Sequence, residues 1–177
     1  MTYFLSGGSK SGKSLLAQRI AKSLPGPHYY LATLRPTDEE DRRIVQRHLR
    51  ARDGWGFTTI ECESGILSAL DLAPENGTFL LDSVTALLAN EMFRPDGSVD
   101  EAAGARLGSD LVRFSQLAQH VVFVADFVFS DGRDYGTLTE AYRAALGQIG
   151  VRLGAACDHV AELSAAIPIW YKGGWQA

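Results

Sequence analysis

Residues 7 to 14 read Gly-Gly-Ser-Lys-Ser-Gly-Lys-Ser, and Gly7, Gly12, Lys13 and Ser14 fall at the spacing Gly-x-x-x-x-Gly-Lys-Ser/Thr that cradles a nucleotide phosphate chain. Glycines let the backbone turn its amides inward, so the amides from Gly7 and Gly8 through Ser9, Lys10 and Ser11 to Gly12 are candidate phosphate donors. Lys13 is expected to reach the β- and γ-phosphates, and the Ser14 hydroxyl to ligate Mg²⁺. The surroundings support this reading: an apolar run, "TYFLS", precedes the glycines, and Leu15, Leu16, Ala17, Ile20 and Ala21 follow at helical spacing.

Such a loop works with a carboxylate at the end of a second strand, which holds the metal's water shell. "TFLLDS" places Asp82 directly after an apolar run, so Asp82 is the candidate for the metal side. The same residue precedes the helix-like "TALLANEMF" and also has the chemistry of a helix N-cap. A third set lies in "TDEEDRRIVQRHLRAR", residues 37–52. Thr37 and Glu40 make a capping box, and Ile44, Val45 and Leu49 give a narrow apolar stripe. His48 sits among Arg42, Arg43, Arg47, Arg50 and Arg52. Guanidinium groups favour a neutral, nucleophilic imidazole, but from spacing alone a charge run reads more readily as a solvated basic helix carrying an idle histidine.

Seven strand-like runs position these groups: "TYFLS", "YYLATL", "FTTIE", "TFLLDS", "VVFVADF", "HVAELS" and "IPIWYK". Helix-like stretches separate most of them, which predicts an α/β fold with a mostly parallel sheet flanked by helices. Only the last two runs are joined by a short link, so the sheet is expected to end in an antiparallel edge hairpin. The clearest helix begins at "TLTEAYRAALGQIGVRL", with Thr137 and Glu140 as a capping box and Leu138, Tyr142, Ala145, Ile149, Leu153 and Ala156 as its apolar stripe. "RPDGSVDEAAG", residues 94–104, is a polar connection before a weaker helix. His28, His120 and His159 flank strands without a partner in sequence and are assigned no chemistry.

With 177 residues, 46% hydrophobic and 21% charged, the chain is expected to form a single nucleotide-binding domain, residues 1–177. A net charge of −4 argues against general nucleic-acid binding, which needs a concentrated cationic surface. Cys62 and Cys157 lack metal-ligand spacing and read as reduced thiols of a cytoplasmic protein. No apolar run reaches the ~18 residues of a membrane span, and the N-terminal run lacks the basic leader of a signal peptide. No Asn-Lys-x-Asp signature of the GTPases appears.

Taken in order, "GGSKSGKS", "YYLATL", the charged helix with His48, "FTTIE", "LLDSVTALLANEMF", "GVRLGAACDHVAEL" and "IPIWYKGG" resemble the adenosylcobinamide kinase / adenosylcobinamide-phosphate guanylyltransferase family, over nearly the whole chain. The resemblance implies a P-loop fold of RecA-like topology and an enzyme of cobalamin biosynthesis. It further implies phosphorylation of adenosylcobinamide with ATP or GTP, then transfer of GMP from GTP through a guanylylated histidine, which falls on His48. Ala32, Thr33, Leu34, Leu49, Arg50, Ala51, Arg52, Glu61 and Asp82 match family positions that line the nucleotide. The implied partners are a corrinoid and a nucleoside triphosphate, with Mg²⁺ as cofactor; a homo-oligomer is also expected. Trp170, Tyr171 and Trp175 read most plainly as edge-strand and tail packing, with a surface for the corrin ring or a neighbouring subunit as the alternative.

The chain departs from the family in places. Ile44-Val45 precedes the histidine where Arg-Ile is usual, and Trp55 stands one residue out of step. Asp126-Phe127-Val128-Phe129 replaces the Asn-Glu-Val-Gly of the better-known members, removing the carboxylate at the second position. From the residues alone, a small-molecule P-loop kinase or a nucleotide-gated binding module remains an alternative.

Overall fold

The structure, a computed structural model, describes residues 1–36, 38–39, 42–43, 45–46, 50, 53–74, 76–128 and 132–176. Among the described residues seven strands form one sheet: β1 (Thr2–Gly7), β2 (His28–Ala32), β3 (Thr58–Glu61), β4 (Thr78–Asp82), β5 (His120–Asp126), β6 (His159–Ser164) and β7 (Ile167–Lys172). Their spatial order is β3-β2-β4-β5-β1-β6-β7. All neighbouring strands are parallel except β6 and β7, which pair antiparallel. The predicted edge hairpin is therefore present.

Central strands of a parallel sheet are covered on both faces, so they read as unbroken apolar runs. Phe79, Leu80 and Leu81 in β4 and Val121 to Val124 in β5 are fully buried. Successive side chains still alternate between the two faces. Phe4, Leu31, Phe79, Leu81, Val121 and Phe123 belong to one core. Tyr3, Leu5, Tyr30, Leu80, Val122 and Val124 belong to the other.

Helix α1 (Lys13–Ser23) covers the second core through Ala17, Ile20 and Ala21. The first is covered by the short α2 (Ala69–Leu72), α3 (Val84–Met92), α4 (Ala103–Leu117) and α5 (Thr137–Ala156). Among the described residues no helix is long and apolar enough to cross a membrane.

Two local expectations are corrected. The stripe of α5 is centred on Leu146, Ile149 and Leu153, while Leu138 and Ala156 at its ends are exposed. Its capping differs too: Gly136 is the N-cap, and the Glu140 carboxylate accepts from the Tyr135 amide at 3.2 Å. The glycine takes the extended cap conformation one residue early, leaving Thr137 inside the first turn. The predicted Thr37–Glu40 box lies outside the described residues.

The aromatic C-terminus packs rather than hangs free. Trp170 meets Tyr3 and His159 edge-on, and the Trp175 indole N–H donates to Ser23 Oγ at 3.0 Å, while Tyr171 is exposed. Cys62 and Cys157 are buried free thiols.

Candidate active site

All six parallel strands point their carboxyl ends toward one edge of the sheet, where ligand crevices form at a change in strand order. Here the loop from Gly8 to Gly12 leaves β1 and enters α1. Gly7 ends β1 where a side chain would force its neighbours to shift, because a Cβ would stand 2.7 Å from both the Leu163 carbonyl oxygen and Ser11 Oγ. Gly12 is left-handed at φ +92° and is the N-cap of α1 without a side-chain cap. The first amides of α1 thus receive no side-chain acceptor from the cap, and an uncapped helix start favours an anion.

The tip of the β6–β7 hairpin buttresses this loop. Ala166, held with Ala165 at positive φ, donates its amide to the Ser11 carbonyl at 2.9 Å.

Lys13 turns back over its own loop. Its ammonium donates to the Gly8 carbonyl at 3.1 Å and pairs with Asp126 Oδ1 at 2.6 Å. The lysine side chain is only 9% exposed, the aspartate 32%. Asp82 ends β4, two strands from the loop strand, and Tyr30 donates its phenol proton to Asp82 Oδ2 at 3.2 Å. It is not the N-cap of α3. That role belongs to Ser83, whose hydroxyl accepts from the Ala86 amide at 3.2 Å.

These groups face a cavity of about 690 Å³. Of the residues predicted to bind nucleotide, Ser9, Lys10, Ser11, Gly12, Lys13, Ser14, Leu34 and Asp82 line it. Gly7 and Gly8 shape the loop without lining the cavity. Ala32 and Glu61 are register partners at the ends of β2 and β3, and Thr33 is fully buried behind the wall with its hydroxyl engaged by Ser83. Arg50 is exposed. His48, Leu49, Ala51 and Arg52 lie outside the described residues.

Thr85, Ala86, Ala89, Asp126 and Tyr142 also line the cavity and were not foreseen. Asp126 had a readable signal, since "VVFVAD" repeats the strand-then-aspartate pattern of "TFLLD". Position 126 thus carries a carboxylate where position 127 carries none. Tyr142 donates its phenol proton to the Thr85 carbonyl at 2.9 Å, and burial, with Asp126 nearby, pushes its pKa up to about 12.

Among the described residues no group of three or more His, Cys, Asp or Glu side chains is arranged to hold a metal alone. Mg²⁺ at a nucleotide usually takes only one or two carboxylates together with phosphate oxygens. The Asp82 carboxylate and Ser14 hydroxyl on this cavity form an all-oxygen set that fits such an ion.

A family model, CobU, described as cobinamide kinase / cobinamide phosphate guanyltransferase, matches residues 3–170. The chain belongs to this family. A curated relative, the bifunctional adenosylcobalamin biosynthesis protein CobP of Pseudomonas aeruginosa, is 27% identical over 168 residues, covering 94% of this chain and 95% of the relative. Family and relative agree on a kinase and nucleotidyltransferase class of enzyme in cobalamin biosynthesis.

Solved structures add the fold. The flagellar accessory protein FlaH from Methanocaldococcus jannaschii matches with TM-score 0.52 and 14% identity, over 99% of this chain and 81% of that one. An ATPase from the type III secretion system of pathogenic bacteria matches with TM-score 0.53 and 16% identity, over 92% of this chain and 51% of that one. The CobU-family chain thus has a P-loop NTPase fold, with a mostly parallel sheet closed by an antiparallel pair.

Proposed function

We propose that this protein phosphorylates the aminopropanol arm of adenosylcobinamide with ATP or GTP, and then transfers GMP from GTP to the product through His48. The observation that carries the reading is convergence: the Ser9–Ser14 loop, the Lys13 ammonium and the Asp82 carboxylate face one cavity at the carboxyl edge of the sheet.

In the first reaction the loop amides and the start of α1 hold the triphosphate, and Lys13 exchanges Asp126 and the Gly8 carbonyl for phosphate oxygens. Phosphoryl transfer asks mainly for alignment and charge neutralisation, because its transition state is loose. Mg²⁺ held by Asp82 and Ser14 would neutralise charge on the β- and γ-oxygens. The substrate hydroxyl then attacks in line, and the nucleoside diphosphate leaves. In the second reaction His48 attacks the α-phosphorus of GTP, pyrophosphate departs, and GMP passes to the corrinoid phosphate.

The test has two arms. Wild-type protein with adenosylcobinamide, ATP or GTP and Mg²⁺ should yield the phosphorylated corrinoid by mass spectrometry. With GTP labelled at the α-phosphorus it should acquire an acid-labile, base-stable label that His48→Ala lacks. Phosphorylation without label leaves a kinase alone; no corrinoid product removes the proposal.

A further inference from the structure

We propose that Asp126 is the proton acceptor of the phosphoryl-transfer step, taking the proton from the corrinoid's alcohol as its oxygen bonds to phosphorus. This inference rests on the kinase reading above and supplies the residue it lacks.

Asp126 is set by the framework of the sheet. It ends β5, the strand between β4 and the loop strand β1, in register with Gly7. Its amide donates to Thr85 Oγ1 at 2.7 Å, and the next amide, of Phe127, donates to the Gly7 carbonyl at 2.9 Å. The backbone on either side of the carboxylate is therefore pinned, while the side chain, one-third exposed, faces the cavity.

The ion pair sets its distance from the chemistry. Asp126 Oδ1 is 2.6 Å from the Lys13 ammonium, and a phosphate oxygen on that ammonium lies about 2.8 Å from the nitrogen. The ammonium changes partner rather than holding both, so the carboxylate it leaves and the γ-phosphate it joins stand about 5–6 Å apart. A hydroxyl poised for attack stands about 3–3.5 Å from phosphorus and about 2.6–3.2 Å from its base. Together these spans reach about 6 Å, so one alcohol oxygen fits between the two groups.

The other candidates on the cavity wall fail. Asp82 is 9% exposed, accepts from the Tyr30 phenol and stands on the metal side. Tyr142 spends its proton on the Thr85 carbonyl. Among the described residues the cavity holds no other carboxylate and no imidazole.

Among the described residues, the charged and titratable groups that share the cavity with Asp126 are Lys10 from the loop, Lys13 from α1, Asp82 from the end of β4 and Tyr142 from α5. The neighbouring strand β1 presents only the Gly7 backbone, and α3 the Thr85 hydroxyl. When a triphosphate draws Lys13 onto its oxygens, the Asp126 carboxylate is released from its ion pair and left facing the cavity.

In the step itself the alcohol O–H bond breaks and its proton goes to the Asp126 carboxylate. The alcohol oxygen bonds to the γ-phosphorus, and the bond from phosphorus to the βγ-bridging oxygen breaks. That oxygen keeps the electron pair and leaves on the nucleoside diphosphate. Asp126 then returns the proton to water.

Asp126→Asn keeps an oxygen for Lys13 at nearly the same volume but cannot take the proton. It should lower kcat for adenosylcobinamide phosphorylation about 10²-fold or more, the usual scale for a general base. The acid limb of the kcat–pH profile should vanish, and the Kd for ATP with Mg²⁺ should stay within about threefold, since an oxygen still faces Lys13.

A kcat within about threefold of wild type overturns the proposal. So does an unchanged acid limb, or a loss carried wholly by weaker nucleotide binding, which would make Asp126 a positioning partner of Lys13. Asp126→Ala provides a second route if the first variant misfolds: added formate should restore kcat, and no restoration overturns the proposal. The wild type run alongside separates the two readings. No corrinoid product from it removes the kinase and the base together, whereas a working wild type with an undiminished Asp126→Asn removes the base alone.

Discussion

Thr33 and Ser83 hold each other twice: the Ser83 amide donates to Thr33 Oγ1 at 2.7 Å, and that hydroxyl donates to the Ser83 carbonyl at 2.8 Å. The pair ties the end of β2 to the residue that follows Asp82, so a buried hydroxyl fixes where the Asp82 carboxylate stands. Asn90 extends the clamp by donating to the Thr33 carbonyl at 2.7 Å and the Glu63 carbonyl at 3.0 Å.

Thr33→Val keeps the shape and deletes both bonds. It leaves a backbone donor and acceptor without their partner, which should cost about 2–4 kcal/mol in urea unfolding. Thr33→Ser keeps the bonds and should cost only about 1 kcal/mol for the lost methyl. Equal losses in the two variants would show that packing, not the double bond, holds this turn.

Gly7 and Gly8 separate two uses of glycine in one loop. A Cβ on Gly7 meets the Leu163 carbonyl and Ser11 Oγ at 2.7 Å, whereas a Cβ on Gly8 meets nothing within 4 Å. Gly7→Ala should therefore destabilise the fold by about 1–3 kcal/mol through overpacking, lowering Tm. Gly8→Ala should keep a wild-type Tm, and any loss of ATP affinity measured by calorimetry then reports on how closely the backbone approaches phosphate.

What was legible in the chain follows from how locally each feature is written. Apolar runs such as "TFLLD" are readable because a doubly covered strand has no polar face, and the phosphate loop is readable because its geometry needs glycine at set places. The role of Thr33 was not, since its partner lies 50 residues away. The meeting of Asp126 with Lys13 depends on β5 inserting beside β1, which sequence order does not state. The cap at Gly136 in place of Thr137 reflects a choice between adjacent residues that tertiary context decides.

The two thiols give a pH prediction. Burial, and then the negative charge of Glu91, pushes the Cys62 pKa up to about 11; burial first pushes Cys157 up to about 12. The folded state thus holds these protons more tightly than the unfolded state, where a thiol titrates near 8.5. Their contribution to stability is complete below about pH 8.5 and is lost as pH rises toward 11–12. At pH 8 neither thiol should react rapidly with a disulfide reagent until denaturant is added, and the unfolding free energy should fall above pH 9. Rapid native labelling of either cysteine would contradict the burial that sets these shifts.

Lys13→Met tests the phosphate site itself. The substitution keeps an unbranched side chain of similar length and removes both polar contacts, to the Gly8 carbonyl and to Asp126. Because Asp126 is 32% exposed, water takes over the abandoned carboxylate, so the ion pair's loss should cost no more than about 1 kcal/mol of stability. Nucleotide binding should respond far more. An ammonium among phosphate oxygens makes charge-assisted bonds worth about 1.5–3 kcal/mol, equivalent to an affinity loss of roughly ten- to a hundredfold. Wild-type Lys13 must first give up Asp126 and the Gly8 carbonyl, whereas the methionine variant gives up nothing, so the measured loss understates the contact with phosphate. Titration of ATP with Mg²⁺ beside a urea melt separates the two effects. Unchanged affinity in a folded Lys13→Met would mean that the loop amides alone hold the triphosphate, and would leave the lysine as no more than the partner of Asp126.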